Sequence, residues 1–397
     1  MNSLPASSAR QAPRGWHLLN TVAASTALGL MLSPLLYELV VATGLLTAPP
    51  AAASSCGDTP AQWLALRVGL IWGALVGGVL AAAQARQRRR WAVPEVLLDL
   101  VALYLSLMLF QYGMVKVLAT QFPRLWANLD TPPAELTPMR VAWQFFGYSR
   151  GYQQFLGWGE VLPAALLLFR RTRTLGAFIA SVVMLNVLAV NIFFDVCVKI
   201  GSGTYLVLAL LLLLQDADRL WRFFIGHRPA ALRTLAPTAA RFGRRGRLVY
   251  RGLGVLFTLA VLGLTFMDVQ DTREYAAEQA AVLPLTGVWE TARAARWTDG
   301  RWQPLAPADS AYPARAYFQA AQAVLRNTWR RDRFVTAPDS ARPQEFIQLI
   351  ARNENNDYDA PRPWQYQRLP GDSLRLRGRW RQDSLRLTLH LNRGLMK

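Results

Sequence analysis

Between residues 16 and 268, long apolar stretches alternate with short arginine-rich ones, and no other feature constrains the chain as tightly. A bilayer core of about 30 Å takes roughly 20 apolar residues in a helix. Seven stretches meet or approach that length: 18–46, 62–84, 93–119, 151–170, 174–197, 202–215 and 248–268. The first runs from about Trp16 to Ala48 and is too long for the apolar part of a secretory signal, so it is expected to stay as an anchor.

The basic residues fall unevenly among the connections. One alternate set of loops holds Arg10, Arg14, Arg86, Arg88, Arg89, Arg90, Arg170, Arg171, Arg173 and nine arginines from Arg219 to Arg251. The other set holds only Arg124, Arg140, Arg150 and Lys199. Positively charged loops stay on the cytoplasmic side. This reading puts the N-terminus inside a bacterial-type inner membrane and, after seven spans, the C-terminal region outside the cytoplasm. The net charge of +19 is explained by that bias. No recognisable nucleic-acid module accompanies it, so no nucleic-acid partner is expected.

After the last span the sequence turns soluble in character. Leu374, Leu376, Gly378 and Trp380 alternate with Arg375, Arg377 and Arg379, and Leu385, Leu387, Leu389 and Leu391 repeat the period of two. Two such runs around a short polar connection predict an antiparallel hairpin. Earlier strands are expected at 287–294 and 345–350, with a turn at Asp299-Gly300 and partly helical structure over 311–331. The fold class is a multi-pass α-helical membrane bundle followed by a small antiparallel β barrel or sandwich. Its divisions are two N-terminal spans (1–91), a four-helix core (92–220), a basic cytoplasmic linker (221–247), a seventh span (248–268) and an extracytoplasmic β-rich domain (284–397).

Ionisable groups within membrane spans are costly and therefore count as functional candidates. Glu95 and Asp99 lie beside the 86–90 arginines and are expected to pair with them. Lys116, near the outer end of the third span, is the natural partner for Glu160 in the middle of the fourth. Asn191, Asp195 and Lys199 are spaced four apart and predict one polar stripe. With Tyr112 and Asn186 these residues define a candidate outward-facing polar pocket. The alternative is an ion-pair network that only locks helices together. No catalytic nucleophile–histidine pair, phosphate loop or metal-ligand spacing is visible. The two cysteines, Cys56 and Cys197, are both expected outside, so a disulfide between them is topologically allowed.

The runs Tyr112-Gly113-Met114-Val115-Lys116, Trp143-Gln144-Phe145-Phe146-Gly147-Tyr148-Ser149, Gly157-Trp158-Gly159-Glu160-Val161-Leu162 and Phe194-Asp195-Val196 resemble the DoxX-like membrane protein family, best over about 92–220. Cys197 departs from the pattern, which has proline there. Gly287-Val288-Trp289-Glu290 resembles the opening strand of lipocalins. The first resemblance implies a four-helix core and, by analogy with sulfur-oxidising relatives, a quinone as the one cofactor to consider. Three functions compete: a scaffold or binding component that meets an envelope protein or a small apolar ligand, a quinone-linked oxidoreductase subunit, and a small-solute or proton transporter. All three have the lipid bilayer as partner.

Overall fold

The computed structural model describes residues 14–45, 57–87 and 93–229, scattered positions between 243 and 270, and most of 285–396. Two compact units emerge, Met1–Gln121 with Arg150–Thr265, and Phe122–Ser149 with Phe266–Lys397. The first is helical and the second is built on a β sheet. The seventh predicted span is described only at scattered positions, which are helical, and most of the basic linker lies outside the described residues.

The helices in chain order are α1 (Arg14–Met31), α2 (Ser33–Ala42), α3 (Pro60–Arg86), α4 (Val93–Val117), α5 (Trp126–Leu129), α6 (Pro138–Tyr148), α7 (Arg150–Leu168), α8 (Arg173–Phe193), α9 (Lys199–Leu214) and α10 (Ala217–Phe224). Among the described residues, α3, α4 and α8 are each long and apolar enough to cross a membrane, and five segments qualify if the bent pairs α1–α2 and α9–α10 each form one span. The helix α7 has the length, but Arg150, Gln153, Gln154 and Glu160 make it more polar. The stretch expected as one span over 18–46 is a pair of helices bent by 70°, which pass together as one broken candidate span. Pro34 explains the break: it sits in the first turn of α2, where its missing N–H costs nothing, whereas inside a continuous helix it would clash with the turn before it.

Glycine sets how closely these helices approach. Gly69, Gly73 and Gly77 form a four-residue repeat along α3, and a Cβ at Gly73 would lie 2.6 Å from the Ser25 carbonyl oxygen of α1. One at Gly77 would lie 2.8 Å from the Val22 Cα. Small residues at this spacing let two backbones meet, which is the main route to tight packing in lipid.

Among the described residues the second unit carries nine strands: β1 (Gly287–Thr298), β2 (Arg301–Pro304), β3 (Arg315–Gln319), β4 (Gln322–Arg326), β5 (Arg331–Pro338), β6 (Phe346–Ala351), β7 (Arg362–Leu369), β8 (Ser373–Trp380) and β9 (Asp383–Leu391). Neighbours pair antiparallel in the order β2-β1-β3-β4-β5-β6-β7-β8-β9, and β9 returns to pair with β1. The sheet is therefore a nearly closed antiparallel barrel, which decides between barrel and sandwich. The long β1 makes this closure workable. Its register shifts between Thr291 and Arg293, a bulge that bends the strand. One edge then serves β3 with its first half and β2 with its second, while the other edge meets β9.

The barrel interior is filled by Trp289, Phe318, Leu325, Trp364, Leu376, Trp380 and Leu387. Gly378 of β8 is required there, because any Cβ would run into the Trp364 indole. The terminal hairpin has the predicted alternation, with Leu374, Leu376 and Trp380 buried and Arg375, Arg377 and Arg379 exposed. The expectation of helix within 311–331 is corrected: β3 and β4 form a hairpin there. The run Ala316-Tyr317-Phe318 is buried on both faces, so it lacks the alternation that marks a half-exposed strand.

The second face of β3 and β4 is covered by α5. Ala127 packs with Val288, Tyr317 and Val324, flanked by Trp126 and Met396. The Trp126 backbone N–H donates to Gln319 at 2.8 Å, and the Gln319 amide donates back to the Arg124 carbonyl at 2.8 Å. Residues 122–149, which the sequence reading included in the 92–220 core, thus pack with the barrel.

Candidate functional site

The sequence-selected polar residues of the helical unit separate into distinct arrangements. In the first, Lys116 Nζ of α4 donates to Glu160 Oε2 of α7 at 2.7 Å. Both side chains are buried, at 9% and 3% exposure. Lys116 also donates to the Tyr112 carbonyl at 3.3 Å, so Tyr112 contributes its backbone while its ring meets Tyr205. The pair exists because two glycines let the helices touch. A Cβ at Gly113 would lie 2.9 Å from the Gly157 carbonyl oxygen, and one at Gly157 would lie 2.7 Å from the Gly113 carbonyl oxygen. Gly113 and Lys116, like Gly157 and Glu160, are three residues apart and share a helix face. The signal was therefore present as a glycine–charge pair repeated in two helices.

The second arrangement surrounds the turn between α8 and α9. The stripe expected through Asn191, Asp195 and Lys199 is not on one helix: α8 stops at Phe193, and Asp195 has a φ of 50°. Asp195 still meets Lys199, with Nζ–Oδ1 at 2.9 Å. The backbone N–H groups of Lys199 and Ile200 donate to the Asp58 carboxylate at 2.9 and 3.0 Å. Asp58 thereby caps α9 and neutralises the positive end of its dipole. Asp58 lies 141 residues from Lys199 along the chain, so no local pattern marked it as the cap of α9. Cys197 of this turn is disulfide-bonded. The chain's other cysteine is Cys56, which lies outside the described residues.

Asn191 donates to Ser202 at 3.0 Å and so joins α8 to α9. Asn186 is exposed on the outside of α8 and joins none of these groups. Asp99 pairs with Arg170 and with Arg173, the latter at 2.7 Å, whereas most of the 86–90 run expected to pair with it lies outside the described residues. Arg170 lies in the connection from α7 to α8 and Arg173 opens α8, so the ion pairs tie α4 to that end of the helical unit.

A further polar centre lies in the barrel unit. Asp130, just after α5, accepts from Arg315 and from the Tyr317 hydroxyl. It also accepts from Arg326 at 3.0 Å, and Arg326 reaches the Asp130 carbonyl as well. Burial would raise the Asp130 pKa, but the hydrogen bonds from Arg315 and Tyr317 and the charges of Arg315 and Arg326 outweigh it and hold the carboxyl below its usual range. Burial, with the hydrogen bond to Asp130, pushes the Tyr317 hydroxyl up to about 12. Arg315 and Arg326 are cross-strand partners, as are Tyr317 and Val324. One carboxylate therefore resolves what would otherwise be a like-charge pair.

No family model and no solved structure matches the chain. It is 35% identical over 137 residues to the uncharacterized protein YwoB of Bacillus subtilis (strain 168), a match covering 34% of this chain and 88% of that protein. At that identity and coverage, the chain belongs to the same family as YwoB.

Proposed function

We propose that this chain is a DoxX-like integral membrane scaffold whose β barrel is a binding head on the extracytoplasmic side. The closed Lys116–Glu160 pair carries this reading. Each charge is satisfied by the other at 2.7 Å across α4 and α7. An ion pair used this way holds helices together and commits neither group to a substrate.

Three observations support the orientation. Arginine is concentrated in alternate loops. Cys197 is disulfide-bonded, which suits an oxidising compartment on the side of the α8–α9 turn. The barrel packs with residues 122–149, which connect α4 to α7 and belong to the arginine-poor set of loops.

The test is affinity capture of the tagged full chain after mild detergent extraction, run beside a chain cut before residue 285. We expect a defined envelope component with the full chain and its loss from the shortened one. A full chain always recovered alone, or a component kept by both, overturns the reading. A purified chain that binds and reduces a quinone would replace it with the oxidoreductase reading.

A further inference from the structure

The outer face of β8, β9 and the second half of β1 carries an unusual concentration of one charge. Arg375, Arg377 and Arg379 alternate along β8 and are exposed. Arg377 lies directly opposite Arg386 of β9. Arg293 of β1 lies opposite Thr388, which in turn faces Arg375. Among the described residues none of these five arginines has a carboxylate partner. The acids around them are engaged elsewhere: Glu290 with Arg315 at 3.1 Å, Asp372 with Arg393 at 2.7 Å, and Asp383 with Arg296 at 3.3 Å.

Like charges directly across a strand pair destabilise the sheet. This face keeps such a pair and cushions it with an aromatic ring. The Arg377 and Arg386 guanidinium carbons lie 5.4 and 4.8 Å from the centre of the Trp302 ring. Trp302 meets Trp297 edge-on at 5.3 Å, and Trp297 remains 47% exposed. The rest of the face is Gln365, Gln367, Ser384 and Thr388, side chains that hydrogen-bond.

We infer that this face binds a linear polyanion of phosphate or phosphodiester units. Arg375 to Arg379 spans about 13 Å at strand spacing, so successive arginines can meet successive anionic groups of an extended chain. Arginine forks suit phosphate oxygens, and the tryptophan pair offers a stacking surface at one end. A flat lipid surface fits less well, because the face lacks the aliphatic anchors that interfacial binding uses. The inference rests on the barrel being the binding head, but its failure would leave the anchoring role of the helical unit untouched.

The test uses the full chain in a zwitterionic detergent, titrated into end-labelled inorganic polyphosphate at about 0.15 M salt. Arg377→Gln/Arg386→Gln is expected to weaken binding about tenfold and to make the salt dependence of log K shallower by about 1.4. Arg171→Gln/Arg228→Gln removes the same charge from the helical unit and should change affinity by less than about twofold. Near-ultraviolet circular dichroism checks that the tryptophan-rich barrel is intact, and Arg377→Lys/Arg386→Lys, which keeps the charge, should retain the salt slope. Orthophosphate should compete poorly at equal phosphate. Three results would overturn the proposal: no polyphosphate binding by the unaltered chain, equal losses in both glutamine doubles, or phosphatidylglycerol vesicles that depend on Arg377 and Arg386 when polyphosphate does not.

Discussion

The two units solve the same problem, an ionised side chain removed from water, in opposite ways. In the helical unit Glu160 has one partner among the described residues, Lys116, and almost no exposure. In the barrel unit Asp130 is half-buried and has three, Arg315, Tyr317 and Arg326. A one-to-one pair in a low-dielectric setting leaves a bare charge when either side is lost. A carboxylate at a rim with several donors loses one bond at a time, and water can replace it. The helical pair should therefore be brittle and the barrel cluster tolerant.

The strongest way to break that contrast is at the buried pair. Glu160→Ala or Lys116→Ala alone should destabilise the helical unit by about 3–5 kcal/mol, because each strands the other charge. Lys116→Met/Glu160→Met together should recover most of that loss. Thermal unfolding of the detergent-purified variants measures both, and a double variant as unstable as the singles would assign the pair a role beyond holding helices. Next in size is Gly113→Val, whose new atoms would meet the Gly157 carbonyl and Val161. We expect a cost of about 1–3 kcal/mol from overpacking. A melting curve unchanged by Gly113→Val would mean that the two helices can part without loss.

Asp130→Asn should weaken the packing of 122–149 on the barrel by about 1–3 kcal/mol. Hydrogen exchange would show this as faster exchange in α5 with strands β7–β9 unaffected. The smallest effect is the pH dependence of the same contact. The Asp130 pKa is lowered on folding, so its contribution is present above the ordinary carboxylate pKa and is lost as pH falls below about 4. The Tyr317 pKa is raised to about 12, so its contribution is present below about pH 10 and declines as pH rises towards 12. Exchange protection of α5 that stays flat from about pH 3 to 11 would remove the cluster from any account of why α5 stays in place.

Much of this was legible in the residues. The β8–β9 hairpin could be read strand by strand, since one face is apolar and the other charged. The partnership of Lys116 with Glu160 followed from burial alone, because a charge within a span needs a counter-charge. Elsewhere local pattern was not enough. The run around Ala316-Tyr317-Phe318 had no period, because α5 covers the face that would otherwise be polar. Asp99 pairs with Arg170 and Arg173, 71 and 74 residues away along the chain, and no local pattern points to partners set by distance in space.

By itself the sequence determined the kinds of unit: long apolar runs make helices long and apolar enough to cross a membrane, and a period of two demands a sheet with one dry face. It also determined which charges had to be paired. Only the tertiary structure decided the partners and the closures: that β9 returns to β1, that 122–149 packs with the barrel, and that Gly113 and Gly157 bring Lys116 within reach of Glu160. Hydrophobic periodicity is a property of neighbours along the chain. Ion pairs, glycine contacts and barrel closure depend on residues far apart in sequence, and only folding sets those distances.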